Sequence, residues 1–244
     1  MVLYLYNSFY MGARYTLTAE EKEILKAHPY EIQGEWSPNY NLAITQTGLV
    51  ITADEPGIIQ QMRFGIVPHT AANLKLSFDS WNIKSETALE TKTWRPLLKN
   101  HKTCLVIADS FYEWKEQGKG DKQPYRFTLK NRKLFCFAGL WSQWVDPETN
   151  EKFRTYGILT TVANPLVAEI HSKHRMPVIL TREEEAVWLS KTIALESKMM
   201  VLDAYPAELM DRTKVSKQVN SVSTLKKPNN EPDLLLPLNT DDDV

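Results

Sequence analysis

The chain has 244 residues, of which 43% are hydrophobic and 24% charged, the balance of a globular protein with a buried core rather than of a disordered one. With 29 basic and 30 acidic side chains the net charge is -1, which excludes nucleic-acid binding through bulk charge and leaves a local basic groove as the only electrostatic route. No run approaches the roughly 18 apolar residues that span a bilayer, and "MVLYLYNSFY" lacks the basic start of a secretory signal, so a cytoplasmic protein without membrane contact is expected.

Residues 1–10 read as an extension ahead of Met11, and an alternating apolar run follows Arg14 in "YMGARYTLT". Thr18 with Glu21 has the spacing of a capping box, in which hydroxyl and carboxylate satisfy each other's exposed N–H groups, and predicts a surface helix over "AEEKEILKAH". Strands are then predicted at "NLAIT", "LVITAD", "MRFGIVP", "CLVIADSFYEW", "YRFTLK", "LFCFAGLW" and "TYGILTTVA", short runs rich in β-branched and aromatic residues between turn signals. The polar "KEQGKGDKQ" (115–123) predicts a long hairpin. "PLVAEIH" after Asn164 predicts a short helix with proline at its first position. Thr181 with Glu184 is a second capping box, opening "REEEAVWLSK". The Pro-rich end predicts an extended, frayed acidic tail over 229–244. With no linker or repeat, residues 11–228 read as one compact α+β domain dominated by antiparallel strands. Cys104 and Cys136 lie in apolar runs and are expected to be buried reduced thiols; no metal site is expected.

Four groups of residues could carry chemistry. Glu113 stands between Tyr112 and Trp114. A carboxylate among aromatics loses solvation and becomes a proton donor or acceptor near neutral pH, whereas period-two alternation alone puts it on the wet face. His171 and His174 in "EIHSKHRMPVIL" read either as acid–base residues or as cations at a helix end; a metal would need a third ligand that the sequence does not suggest. Asn82, Lys84 and Glu86 form the polar stretch "WNIKSET", where asparagine can orient a reacting carbonyl and lysine can neutralise a phosphate. Trp36, Phe64, Trp81 and Trp94 offer either stacking faces for unpaired bases or core aromatics.

The order and wording of these pieces resemble one family, the SOS-response-associated peptidases (SRAP), or abasic-site processing proteins. "ARYTLT" resembles its "GRYTL"-type strand, "SPNYNLAITQ" its "P-x-YN-x-AP-x-Q" segment, and "FGIVP" its "WGL-I/V-P", with Phe64 in place of tryptophan. "NIKSET" resembles "NAR-x-ET", "CLVIADSFYEWK" resembles "CL-x-PADGFYEW", and "KQPYRF", "FAGLW", "ILTTVAN" and "HRMPVIL" complete the series. The resemblance implies an SRAP-like α+β domain whose antiparallel strands form a barrel-like core with flanking helices, and a monomer without metal or organic cofactor. It also implies a cleft that binds single-stranded DNA at abasic sites. In the family a cysteine directly after the initiator methionine crosslinks to the opened sugar, its α-amine condensing with the aldehyde and its thiol closing a thiazolidine. An α-amine with pKa near 8 is substantially neutral at pH 7 and attacks an aldehyde readily.

Carried over residue by residue, the resemblance makes Asn82, Glu113 and His171 catalytic, and for Glu113 it reverses the reading from alternation. "IHSKHRMP" is two residues longer than the family's "IH-x-RMP"; His171 follows Ile170 as the catalytic histidine should, with His174 the alternative. Arg14, Phe64, Lys84 and Arg175 stand at DNA-binding positions, Lys84 replacing an arginine and forfeiting bidentate phosphate contacts. The family's "MCGR" is "MGAR" here, with Gly12 at the cysteine position, so the thiazolidine has no thiol. Three readings follow: a non-crosslinking homologue that binds single-stranded DNA, an imine-forming abasic-site lyase using a Gly12 amine, or a small-molecule enzyme or partner-binding protein using Glu113 and His171.

Overall fold

The computed structural model describes residues 14–74, 81–118, 120–224 and 226–238. In chain order they form β1 (Arg14–Leu17), α1 (Glu21–Ala27), β2 (Glu31–Ile32), β3 (Asn39–Ala43), β4 (Thr47–Thr52), β5 (Ile58–Phe64) and β6 (Asn82–Lys84). There follow α2 (Arg95–Lys99), β7 (Thr103–Ala108), β8 (Ser110–Gly118), β9 (Asp121–Leu129), β10 (Phe135–Val145) and β11 (Lys152–Val162). The chain continues with α3 (Pro165–Ala168), β12 (Arg175–Pro177), β13 (Ile179–Leu180), α4 (Arg182–Leu189), α5 (Leu195–Met199) and β14 (Met210–Lys214). No helix among them is long and apolar enough to cross a membrane.

One sheet runs β14-β9-β8-β1-β3 with antiparallel neighbours throughout. The other runs β12-β11-β10-β7-β4-β5-β2, and β5 pairs in parallel with β11 as well as antiparallel with β4. The path β11-β10-β7-β4-β5 therefore closes on itself as a five-stranded, barrel-like core, as expected. The continuous apolar runs are explained by this wall, whose strands are covered on both faces. On β7, Cys104, Val106 and Ala108 join a core shared with Phe111 and Phe127 of the first sheet, while Leu105 and Ile107 face a second core completed by Ile24, Leu98 and Trp188 from the helices. At the β7–β10–β11 contact a side chain on Gly139 would meet Cys104 Sγ at 2.8 Å and Gly157 O at 3.0 Å, so only glycine lets the strands approach there.

The local signals were mostly right. Thr181 N–H donates to Glu184 Oε2 (2.8 Å) and Glu184 N–H to Thr181 Oγ1 (3.3 Å), opening α4. Asn164 Oδ1 accepts from Val167 N–H (3.0 Å) to cap α3 with Pro165 at its first position. The 115–123 hairpin is β8–β9. The first capping box, however, is misplaced. Thr18 donates both N–H and Oγ1–H to Asp109 Oδ2, so it ties β1 to the 109 turn, and α1 starts two residues later, with Glu20 N–H donating to Glu23 Oε2 at 3.3 Å. Segment 229–238 is docked rather than simply extended: Asn230 Oδ1 accepts from Tyr40 N–H (2.7 Å), and Leu234, in a short 3-10 turn, is buried against the cluster of Tyr112, Trp114, Val215 and Val219.

Both cysteines are buried and free. Lys198 on α5 is also fully buried, its Nζ donating to Trp188 O at 2.9 Å, and desolvation lowers its pKa to about 8. Between about 8 and the ordinary 10.5 the unfolded chain holds a proton that the folded chain has lost, so this residue makes stability rise with pH across that window. Lys198→Met should flatten that rise, measured as the urea midpoint at pH 7.5, 9 and 10.

Candidate active site

The two faces of β8 decide where Glu113 points. Phe111 and Glu113 lie on one side and Tyr112 and Trp114 on the other, and both sides are covered, the second by Val215, Val219 and Leu234. Alternation along β8 therefore does not separate wet from dry, and Glu113 is only 3% exposed. Its Oε2 lies 3.6 Å from His171 Nε2, and no described residue donates a hydrogen bond to that oxygen. Burial pushes the Glu113 pKa well above the carboxylate range, favouring the carboxylic acid over the carboxylate.

His171 is set by the turn that ends α3. Its N–H donates to Val167 O (2.9 Å), His174 N–H donates back to His171 O (2.8 Å), and Arg175 N–H donates to His171 Nδ1 (3.1 Å). That last bond makes Nδ1 the acceptor and puts the neutral ring's proton on Nε2, facing Glu113. Burial lowers the His171 pKa, so desolvation favours the neutral form of both partners. His174 occupies the left-handed position of the turn (φ 49°), exposed, and it is His171 that the turn brings to Glu113.

The flanking residues gather along the end of β11. β6 pairs with it on one side, Asn82 opposite Ile158 and Lys84 opposite Thr160; β12 pairs on the other, Arg175 opposite Val162. Lys84 is exposed and Asn82 half-buried. The Arg175 guanidinium forks onto Glu86 (2.6 and 2.9 Å) and reaches Thr160 O and Oγ1. Through its backbone N–H the same residue orients His171, so Glu86 and Thr160 brace the histidine at one remove. Nothing in the sequence pattern pointed to Thr160, which looks like any β-branched strand residue.

Two residues expected to face DNA are turned inward. Phe64 has no exposed surface and stacks on Tyr156 at 5.1 Å, and Trp81 and Trp94 are likewise core. Arg14 donates to Asn41 Oδ1 (2.7 Å) and Val219 O (2.8 Å) and lies over Trp114, clamping β1 to the 219–220 segment; burial lowers its pKa to about 10. Gly12 lies outside the described residues.

One cluster brings together possible metal ligands far apart in sequence. His28, Cys136 and Glu185 have ligand atoms within 4.8 Å of one another. The donor set does not suit a cation, because Arg132 (3.2 Å) and Arg182 (2.8 Å) already occupy the Glu185 carboxylate and Arg182 also stands 3.3 Å from His28 Nε2. Burial first and then the two arginines lower the His28 pKa to about 4. The cluster is an ion-pair network closing α4 against β10.

A model of the family "SOS response associated peptidase (SRAP)" matches residues 11–222. The abasic site processing protein YoqW of Bacillus subtilis is 37% identical over 230 residues, covering 92% of this chain and 99% of that protein. The abasic site processing protein HMCES of Gallus gallus is 32% identical, covering 84% of this chain and 68% of its own. Among solved structures, a Bacteroides thetaiotaomicron protein superposes with a TM-score of 0.81 at 24% identity, over 92% of this chain and 99% of that one. Fold and sequence thus agree, and the chain belongs to the SRAP family.

Proposed function

We propose that this protein processes abasic sites in single-stranded DNA, with the opened sugar seated against the Glu113–His171 pair. The observation that carries this reading is the buried Glu113 carboxyl, 3.6 Å from the His171 ring, with an oxygen that no described residue satisfies. Relatives named abasic site processing proteins, matched over most of both chains, support the substrate. Asn82 orients the sugar aldehyde, and Lys84 and Arg175 hold the flanking phosphates, Arg175 by exchanging Glu86 for phosphate at its fork.

Cys104 and Cys136 are the only cysteines and both are buried, so no described thiol can close a thiazolidine. The covalent step therefore stops at an imine. Once hydrolysis of the Met11–Gly12 peptide bond has freed the Gly12 α-amine, that amine adds to the aldehyde carbon, and Glu113 gives its proton to the departing hydroxyl as water leaves. Intact mass after incubation with an abasic-site oligonucleotide tests this. An adduct trapped only with borohydride is expected; an adduct stable without reductant refutes the imine, and no adduct with retained DNA affinity leaves a reversible binder. Failure to bind DNA even at low salt refutes the whole reading.

A further inference from the structure

We propose that a cavity on the opposite face of β8 and β9 is a second, phosphate-binding site. The cavity holds about 380 Å³ and is lined by Thr18, Asp109, Arg126 and Thr128, together with the 129–133 turn. It is not an extension of the Glu113 site. In the β8–β9 register Glu113 pairs with Tyr125 and Tyr112 with Arg126, so Arg126 projects from the face opposite Glu113. Its Nε–H donates to Ser110 Oγ at 3.0 Å, in the same side-chain row as Tyr112.

Four cations line the cavity: Arg126, Lys130, Arg132 and Lys133. They come from one short stretch, "RFTLKNRK", which crosses from β9 into its turn. Asp109 is the one carboxylate of the lining, and it is turned toward β1, accepting from Thr16 Oγ1, Thr18 N–H and Thr18 Oγ1. Lys130 and Lys133 hold outside partners, Asp211 at 3.6 Å and Glu23 at 2.6 Å, in exposed pairs that an incoming anion displaces at little cost. Arg132 is committed to Glu185 and Leu180 O and contributes fixed charge.

Arg126 is different. Among the described residues it makes no ion pair, and only Nε is engaged by a side chain. Its two terminal nitrogens form the fork that binds two oxygens of one phosphate, a contact an ammonium cannot reproduce. The Thr128 hydroxyl, two residues along the same strand face, adds a neutral donor. A half-buried arginine fork in a concave site ringed by lysines suits a phosphate group, whose several oxygens can meet the fork and a lysine at once. The phosphate is either that of a small molecule such as a nucleotide or a diester of a nucleic-acid strand passing behind the first site.

The test titrates inorganic pyrophosphate, by calorimetry, into wild type, Arg126→Lys and Arg126→Gln/Lys130→Gln. The same proteins are titrated with an unmodified single-stranded oligonucleotide at several salt concentrations. Pyrophosphate affinity should fall at least about tenfold in the double variant and by less in Arg126→Lys, which keeps the charge but loses the fork. If the phosphate belongs to a strand, the slope of log affinity against log salt should become shallower by about 1.4, two cations at roughly 0.7 each for single strands. Lost pyrophosphate binding at unchanged slope assigns the site to a small phosphate. Unchanged slope together with pyrophosphate binding that is equal in all proteins, or absent from wild type, overturns the proposal. Arg126→Lys, with its charge intact, guards against a folding defect in the double variant. None of the substitutions touches Glu113 or His171, so adduct formation with abasic DNA is read separately.

Discussion

Glu113→Gln should lower adduct formation with abasic-site DNA by on the order of 100-fold while changing single-stranded DNA affinity less than about threefold. The loss follows from removing the carboxylic acid that protonates the departing hydroxyl, the range expected for a general acid; DNA affinity is held by phosphate contacts that the substitution leaves alone. Stability should move the other way. Burial raises the Glu113 pKa far above its ordinary 4.5, so above that pH the unfolded chain releases a proton that the folded chain keeps. The group's favourable contribution is thus complete below about 4.5 and is lost as pH rises through the higher folded value. A glutamine does not ionise, so the variant should gain about 1–2 kcal/mol relative to wild type at alkaline pH, the scale of an unsatisfied buried polar group, and gain little at pH 4. Borohydride trapping rates and urea midpoints at pH 4, 7 and 9 read both effects. A variant that is slower and also less stable at pH 9 would mean that the carboxylate is bonded in the folded chain, and Glu113 would then be a structural residue.

Much of this was legible in the sequence because it is local. The Thr181–Glu184 cap, the Asn164-Pro165 start of α3 and the 115–123 hairpin each depend on residues within a few positions, and each formed as read. The first cap failed for a non-local reason: Asp109, some ninety residues away, competes for Thr18 and wins with two hydrogen bonds. Alternation misjudged Glu113 because it assumes one dry face, and β8 is covered on both. For the histidines, resemblance favoured His171 and left His174 open; the backbone bond from Arg175 to His171 Nδ1 and the left-handed turn at His174 cannot be read from residue types. The His28–Cys136–Glu185 network was invisible because packing joins the end of α1, β10 and α4, and the Arg126 cavity because its cations, though close in sequence, become a lining only where Thr18 and Asp109 close over them.

Trp188→Ala should be the most destabilising single substitution on the helical side of the barrel, costing about 3–5 kcal/mol, as large aromatic truncations in cores do. Trp188 is fully buried, and its Nε1–H donates to Cys104 O (3.1 Å) and Gly139 O (3.2 Å), residues that face each other across β7 and β10. Truncation removes the apolar body that joins α4 to the wall and leaves both carbonyls without this donor. Trp188→Phe keeps most of the volume and loses only the N–H, so it should cost nearer 1 kcal/mol, the net worth of a typical hydrogen bond. At roughly 2–4 °C per kcal/mol for a chain of this size, the alanine variant should melt on the order of 10 °C lower. Trp188 belongs to the second core, whereas Glu113 lies on β8 of the other sheet, on the same face as Phe111. Energies at sites that share no partner add, so Trp188→Ala combined with Glu113→Gln should show the sum of the two stability changes, and folded Trp188→Ala should trap abasic DNA at the wild-type rate. Non-additivity beyond about 0.5 kcal/mol, or slowed trapping in the folded variant, would show instead that the barrel wall transmits strain from α4 to the Glu113 site.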